Sequence, residues 1–499
     1  MEYLLMNKDN IVAKFQAKDR HTDAELGYLF QIYGHFEYRV ENSRIEKPEL
    51  LPYGFEFGKK HKNIDFAIKE WLENRVGANH NHTVEHLMTS QKLTGLEVFL
   101  HNTHATSLND TFWVKSADED TAWNDVSLYR KDFSEAVSKY CLGFDADLTG
   151  ADFSSAPELV TNGSFRRGFE KRKDGIYINK RSSTHGYESY SEVFASEILK
   201  CFAPAFYTKY ELIDKYDTAL SSCKFFTDEK TGLVTYYHIA DTLLEEDEIL
   251  KYMSDHGYED EFRRMAVYDS LIFNTDRHLN NFGFLMDNDT LEVKGFAPFF
   301  DMNLSLFPDI DTMSDADFSN HISGFHPRFG KDFTALGQRM MTDDIRADVE
   351  KMLDFHFDLN AFPYKGDEKF FNVKTEFIEK VLHKQAKALL SSESIKTKDV
   401  FHYQKSDEEI REEALSVAKF RCDTFVKILK KQLEDTPYRD YIFTVEKSDA
   451  AVKVTIEDEE KSGEAEIDFL AKSICYDRKQ LPEAVTDLIY ERLYVWFNT

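Results

Sequence analysis

The sequence predicts an α+β protein in which a mixed leading unit precedes a β-rich lobe, an α-rich lobe and a small α+β appendage. Three patterns carry that expectation. Short apolar runs bounded by turn residues, such as Ile176–Lys180, mark the stretch before residue 228. Helical spacing of apolar residues dominates from Phe262 to Leu433, and strand-like alternation returns beyond Pro437. The expected divisions are 1–150, 151–228, 229–435 and 436–499.

A chain of 499 residues is long enough for two to four units, each with its own core. Its 42% apolar content, with 42 phenylalanines, is that of a globular protein rather than a disordered one. A formal charge of −28 and a pI near 5.1 argue against direct nucleic-acid binding, because such a surface repels a phosphate backbone. The one dense basic stretch, Phe165-Arg166-Arg167 through Lys171-Arg172-Lys173, reads equally as a solvated turn or as a nucleotide contact. The start, Met1-Glu2-Tyr3-Leu4-Leu5, has neither a basic head nor a sustained apolar run, and no segment has membrane-spanning length. Cys141, Cys201, Cys223, Cys422 and Cys475 are isolated and odd in number, as reduced thiols are. Together these features predict a cytoplasmic protein with no membrane partner.

In the leading unit, Tyr3–Met6 and Ile11–Phe15 flank Asn7-Lys8-Asp9-Asn10 as a hairpin would, and Phe66–Leu72 has helical spacing. Thr111–Val114 and Trp123–Val126 read as short packed segments. His82 and His86 stand four apart, near His80, His101 and His104, a spacing that a zinc site could use. Thr83 rather than a glutamate follows His82, so polar residues around a helix start are the expectation.

Past Ala156 the character changes. Thr161-Asn162-Gly163-Ser164-Phe165-Arg166-Arg167-Gly168 joins two glycines with small polar residues, and the strand Ile176–Lys180 that follows ends in a lysine. Such a loop can lay N–H groups over phosphates while the lysine meets them from below. A helix through Tyr190, Val193, Phe194, Ile198 and Leu199 comes next, capped at Ser189 or Ser191. It offers Glu188, Glu192 and Glu197 as partners that would fix the Lys180 ammonium. Lys224-Phe225-Phe226-Thr227 falls where a connection between lobes is needed, and its backbone would meet an adenine edge.

The chemistry concentrates in Asn274-Thr275-Asp276-Arg277-His278-Leu279-Asn280-Asn281, with Asp301 as a distant partner. An Asp followed five residues later by an Asn, then by a second Asp beyond one hairpin, is how kinase-type sites hold ATP and its metal. Phe262, Met265, Val267, Tyr268, Leu271 and Ile272 describe a buried helix leading into the motif. Phe282–Met286 and Thr290–Val293 around Asp287-Asn288-Asp289 describe the hairpin. Asp276 would accept the proton of an attacking hydroxyl, and Asn281 and Asp301 would hold Mg²⁺ through oxygen. An Asp/Asn-rich loop can also simply cap a helix and turn. The helix before it and the hairpin after it favour the catalytic reading. Asn162, Gly163, Ser164, Arg167, Phe225, Phe226 and His278 complete the expected nucleotide contacts around Lys180.

The stretch Asn-Thr-Asp-Arg-His-Leu-Asn-Asn-Phe at 274–282, then a hairpin and Phe300-Asp301, resembles the catalytic and metal-binding segments of HipA-like serine/threonine kinases. Those segments are themselves similar to phosphatidylinositol-3-kinase-like enzymes. The resemblance covers Thr161 to Asp301 and implies a two-lobed protein-kinase-like fold using ATP and Mg²⁺, with Glu192, by its spacing after the lysine, as the partner of Lys180 and with Glu188 and Glu197 as rivals. It further implies a protein acceptor with a Ser or Thr hydroxyl, a toxin role with an antitoxin-like protein partner, and autophosphorylation of Ser164. A small-molecule or phosphatidylinositol-like kinase is one alternative. A catalytically silent nucleotide-binding scaffold is the other.

Beyond Asp301 the stretch Asp309–Phe329 is polar and aperiodic, while Asp343–Leu353, Lys369–Leu390 and Ser406–Leu433 have helical spacing. Tyr441–Val445, Val452–Ile456 and Ala465–Phe469 alternate as strands do, and Leu481–Phe497 closes the chain as a helix.

Overall fold

The computed structural model describes residues 1–19, 38–55, 63–77, 81–93, 95–161, 163–183, 186–239, 246–309, 325–330 and 332–391. Beyond these it describes scattered helical positions between 415 and 426 and the strands of 442–447, 451–457, 462–468 and 473–476. The chain is a mixed α+β protein with several antiparallel sheets, and it divides into two compact units, Met1–Lys398 and Asp399–Thr499.

The first unit opens on the expected hairpin. β1 (Glu2–Asn7) and β2 (Asn10–Asp19) pair antiparallel around a tight turn in which Lys8 takes φ +48°. With β3 (Tyr38–Ile45) and, further along, β4 (Phe112–Ser116), they form a sheet in the order β3-β2-β1-β4. Both faces of β1 are covered, which explains its unbroken apolar run. Tyr3 and Leu5 enter the main core, whereas Leu4 and Met6 pack with Trp113, Trp123 and Val126. Helices α1 (Ile64–Glu73), α2 (His82–Ser90) and α3 (Leu96–Thr103) precede β4, and α4 (Trp123–Val126) and α5 (Glu135–Cys141) follow it. His86 Nδ1 lies 2.5 Å from the Tyr140 hydroxyl, while His80 and the His82 side chain lie outside the described residues. Among the described residues no three His, Cys, Asp or Glu side chains gather as a metal cluster.

A second antiparallel sheet, in the order β5-β6-β8-β7, comprises β5 (Arg167–Arg172), β6 (Gly175–Arg181), β7 (Tyr210–Lys215) and β8 (Thr218–Lys224). β5 begins inside the stretch expected to be loop, because Arg167 and Gly168 pair with Lys180 and Asn179. Gly168 is small for packing rather than for loop freedom: a Cβ there would stand 2.2 Å from Ser138 Oγ of α5. Helix α6 (Glu188–Phe202) crosses from β6 to β7. Its cap differs from expectation. Tyr187 is the N-cap without a side-chain bond, the Ser189 hydroxyl donates to the Lys180 carbonyl at 3.1 Å, and Ser191 is buried within the helix.

β9 (Thr231–Thr235), α7 (Tyr236–Ile239), α8 (Glu246–Asp255) and α9 (Glu259–Ile272) come next. A three-stranded sheet, β11-β10-β9, is completed by β10 (Gly283–Asp287) and β11 (Val293–Phe296). Thr290 to Glu292, expected as strand, stay in the turn because Asp287 Oδ1 accepts the N–H groups of Asp289 and Thr290 at 2.9 and 3.1 Å. Helices α10 (Phe333–Met340) and α12 (Glu368–Leu390) pack with the buried α9, and α11 (Asp343–Lys351) packs on α12 and α6. Rings fasten α6 to α12, with Tyr187 stacked on Phe370 at 4.1 Å and Phe194 edge-on to Phe371 at 5.0 Å.

The second unit holds an antiparallel meander of β12 (Ile442–Lys447), β13 (Ala451–Glu457), β14 (Ser462–Asp468) and β15 (Ser473–Tyr476). Most of the expected helix 406–433, all of 481–497 and residues 310–324 lie outside the described residues. Among the described residues no helix is long and apolar enough to cross a membrane.

Glu158 gives this fold a pH dependence. Its carboxyl is fully buried and accepts the Phe169 N–H at 2.9 Å, and burial pushes its pKa from an ordinary 4.5 to about 7. The folded chain therefore binds this proton more tightly than the unfolded one. Stability from it is complete below pH 4.5 and is lost as pH rises through about 7. Glu158→Gln keeps the acceptor and removes the titration. Urea unfolding should find it equal to wild type at pH 4.5 and more stable at pH 8, by on the order of 3 kcal/mol.

Candidate active site

Helix α9 stops at Phe273, which takes a left-handed φ of +54° and turns the chain into the 274–281 loop. Loop hydrogen bonds then fix the acidic residue. Asn274 donates to Asp269 Oδ1 at 2.9 Å and accepts the Asp276 N–H at 3.1 Å, while Asn281 Nδ2 donates to the Asp276 carbonyl at 2.8 Å. Asp276 is thus held by its backbone, and its side chain is about a third exposed at 35%. Burial pushes that carboxyl above the usual range and Asp301 adds to the rise; His278, Arg277 and Arg328 oppose it.

Arg277 ties this loop to the segment carrying Asp301. Its guanidinium is 1% exposed and clasps Asp269 of α9 from Nε and Nη2 at 2.8 and 2.9 Å. Nη1 donates at 2.7 Å to the Asn281 carbonyl and also at 2.7 Å to the Phe300 carbonyl. One nitrogen therefore brings the loop's end beside the residue preceding Asp301. Asp301 itself adopts φ +57°, a conformation that Asp tolerates better than most residues, and its N–H donates to the Tyr210 hydroxyl at 3.3 Å.

Lys180 closes the constellation. Its Nζ lies 2.6 Å from Glu192 Oε1 and 2.6 Å from Asp301 Oδ1. Burial works against the ammonium, but Asp301 and Glu192 outweigh it and hold the lysine charged. Burial likewise acts to raise the Asp301 carboxyl; Lys180, His278 and Arg277 overcome it and keep the carboxylate below its usual range. For the fully buried Glu192 the desolvation wins and its pKa rises, although Lys180 and the Ser221 hydroxyl at 2.7 Å support the charge. Ser221→Ala leaves that carboxylate one donor short. A loss of about 1.5–3 kcal/mol in chemical denaturation is expected, as for a hydrogen bond to a charged group. The rivals are elsewhere: Glu188 accepts from the Ser183 hydroxyl at 2.6 Å, and Glu197 faces Lys200 at 3.5 Å.

Arg167 stands directly opposite Lys180 in the β5–β6 pair, so the two side chains share a face of the sheet. Burial lowers the Arg167 guanidinium to about 10, against the opposing pull of the Asp301 carboxylate. It also hydrogen-bonds the Gly163 carbonyl. Gly163 takes φ +135° and Ser164 is exposed, while Asn162 lies outside the described residues. His278 accepts the Asn280 N–H at 3.2 Å, and its Nε2 is 4.0 Å from Asp276 Oδ2. In the 225–230 link between β8 and β9, Phe225 gives its N–H to Ile176 O at 2.8 Å and packs on Phe169. The Phe226 ring packs on Phe300 at 5.6 Å, and among the described residues the Phe226 N–H and carbonyl make no internal hydrogen bond.

The donor set suits a hard divalent cation. Asn281 spends its amide nitrogen on Asp276, which leaves Oδ1 uncommitted, and Asp301 commits only Oδ1, to Lys180. Two oxygen donors from the protein, with the rest left to phosphates and water, is how Mg²⁺ is usually held.

Sequence reasoning assigned no role to Arg277, Asp269, Ser221 or Tyr210. A signal for the first pair was present. Asp269 is an acid in an otherwise apolar helix, and a buried charge requires a buried partner, which Arg277 supplies eight residues later.

No family model matches the chain, and no curated protein does. The solved structures include distant likenesses. A chain of the Shewanella oneidensis MR-1 toxin–antitoxin complex of HipA, HipB and operator DNA aligns at 10% identity, over 78% of this chain and 100% of that one, with a TM-score of 0.43. The Helicobacter pylori proinflammatory kinase CtkA aligns at 17% identity, over 44% of this chain and 92% of that one, with a TM-score of 0.38. Scores this low say nothing about function, which must come from the geometry of the site.

Proposed function

We propose that the chain is an ATP- and Mg²⁺-dependent kinase that transfers the γ-phosphoryl group to a Ser or Thr hydroxyl of a protein. The observation that supports it most is the double engagement of Lys180, 2.6 Å from both Glu192 and Asp301, beside a loop whose Asn281 is tied through Arg277 to the chain before Asp301. In this reading β5–β8 with α6 form the N-terminal lobe and the elements from β9 to α12 form the helical one. The Phe226 N–H and carbonyl meet the adenine edge, and Lys180 and Arg167 face the phosphates.

Bound Mg²⁺ would neutralise phosphate charge, with Asn281 and Asp301 holding it. Asp276 orients the acceptor hydroxyl and takes its proton as the oxygen bonds to the γ-phosphorus; the bond to the β–γ bridging oxygen breaks and ADP leaves. A carboxyl raised by burial is better matched to that proton than an ordinary aspartate. A Ser/Thr protein acceptor, autophosphorylation of Ser164 and an antitoxin-like protein partner belong to the same proposal and rest on the motif resemblance.

Incubation with γ-labelled ATP and Mg²⁺ should label proteins on Ser or Thr but leave lipids and small metabolites unlabelled, and Asp276→Ala should label none. Equal labelling by wild type and Asp276→Ala would defeat the proposal. Label in lipids or metabolites alone would favour the other kinase class.

A further inference from the structure

We infer that two stretches of the leading segment, Asn81 with α2 and residues 108–130, form an internal brace that holds the two backbone stretches facing the nucleotide, the 163–166 loop and the 225–230 link. The inference rests on the kinase reading above. It gives a role to a segment whose own residues carry no catalytic chemistry.

The loop is held by Asn81. This amide, 3% exposed, caps α2 by accepting the N–H groups of Thr83 and Val84 at 3.1 and 3.3 Å. Its Nδ2 donates to the Phe165 carbonyl at 3.0 Å and to that of Gly163 at 3.4 Å. One buried side chain thus joins a helix end to the loop backbone on both sides of Ser164.

The link is held at a second, separate place. The hydroxyls of Thr227 and Tyr129 both donate to the Leu108 carbonyl at 2.6 Å. Glu229 collects Trp123 Nε1 at 3.0 Å, the Ser127 hydroxyl at 3.1 Å, and Arg130 Nε and Nη2 at 2.7 and 3.1 Å. Four residues further on, in β9, Leu233 donates its N–H to Asn109 O at 2.7 Å. On the near side Phe225 is fastened to β6 through Ile176. Phe226 is consequently suspended between fixed neighbours with its own polar backbone groups uncommitted.

A backbone edge fixed before binding spares the ligand the cost of ordering it. Freeing it lowers the binding-competent fraction and weakens apparent affinity in the same proportion.

Glu229→Ala removes the acceptor of four hydrogen bonds from a partly exposed side chain. Titration of the full chain with Mg²⁺ and a non-hydrolysable ATP analogue should give binding about ten-fold weaker than wild type. Turnover at saturating ATP should stay within about two-fold, and amide exchange should quicken over 225–230. Asn81→Ala is the second variant, with the same split and faster exchange over 163–166. Unchanged affinity in the folded variants would overturn the brace, as would an effect confined to thermal stability. Failure of both variants to fold would reduce these contacts to core packing and overturn it equally. Wild-type protein that binds no Mg²⁺-nucleotide would remove the kinase reading and the brace together, whereas equal binding by wild type and variants removes the brace alone.

Discussion

Asp276→Asn should lower phosphoryl transfer by about 10²–10⁴-fold, the usual worth of a positioned general base, while nucleotide affinity stays near that of wild type. The substitution keeps the shape and the loop, because the bonds that fix residue 276 come from its backbone: its N–H to Asn274 and its carbonyl to Asn281 and His278. Only the proton acceptor is lost. Single-turnover transfer measured beside equilibrium binding separates the two quantities, and a matching fall in affinity would mean that Asp276 holds the nucleotide instead.

Arg277→Met should carry the largest structural cost. Asp269 would be left charged and unpaired in the core, a loss expected at about 3–5 kcal/mol. The carbonyls of Asn281 and Phe300 would also lose the donor that holds them together. In protein that remains folded, a displacement of about 1 Å between the two proposed metal ligands should cost about 10²-fold in rate. Arg277→Lys separates charge from shape. A single ammonium can satisfy Asp269 but cannot span four acceptors on three segments, so much of the stability should return and little of the activity. Urea denaturation and initial rates on both variants check this, and full activity in Arg277→Lys would remove the strap from the account.

What could be read in the sequence follows from how local each feature is. The first hairpin, α9, β6, α12 and three strands of the second unit appeared because each carries its own periodicity or turn residues within a few positions. The spacing Asp276, Asn281, Asp301 was visible for the same reason: a loop and one hairpin are nearly the whole path between them. Nothing local announced that Arg167 belongs to a strand, since its place is set by pairing with Lys180 thirteen positions on. Glycine at 168 looked like loop flexibility and is instead a packing requirement against Ser138, thirty residues earlier. The caps of α6 were misplaced because Ser189 and Ser191 are sound capping residues in isolation, but the helix already starts at Glu188 and the Ser189 hydroxyl is spent on the Lys180 carbonyl. Long-range grips such as Glu229 on Trp123 and Arg130 leave no periodic trace at all.

The central claim is that Lys180, Asn281 and Asp301 together hold a magnesium nucleotide. Calorimetric titration with a non-hydrolysable ATP analogue, with and without Mg²⁺, tests it most directly on wild type and Asp301→Ala. The account predicts binding that strengthens with Mg²⁺ in wild type and loses that dependence in Asp301→Ala. Identical titrations for the two proteins, or no binding by wild type in the presence of Mg²⁺, would contradict it.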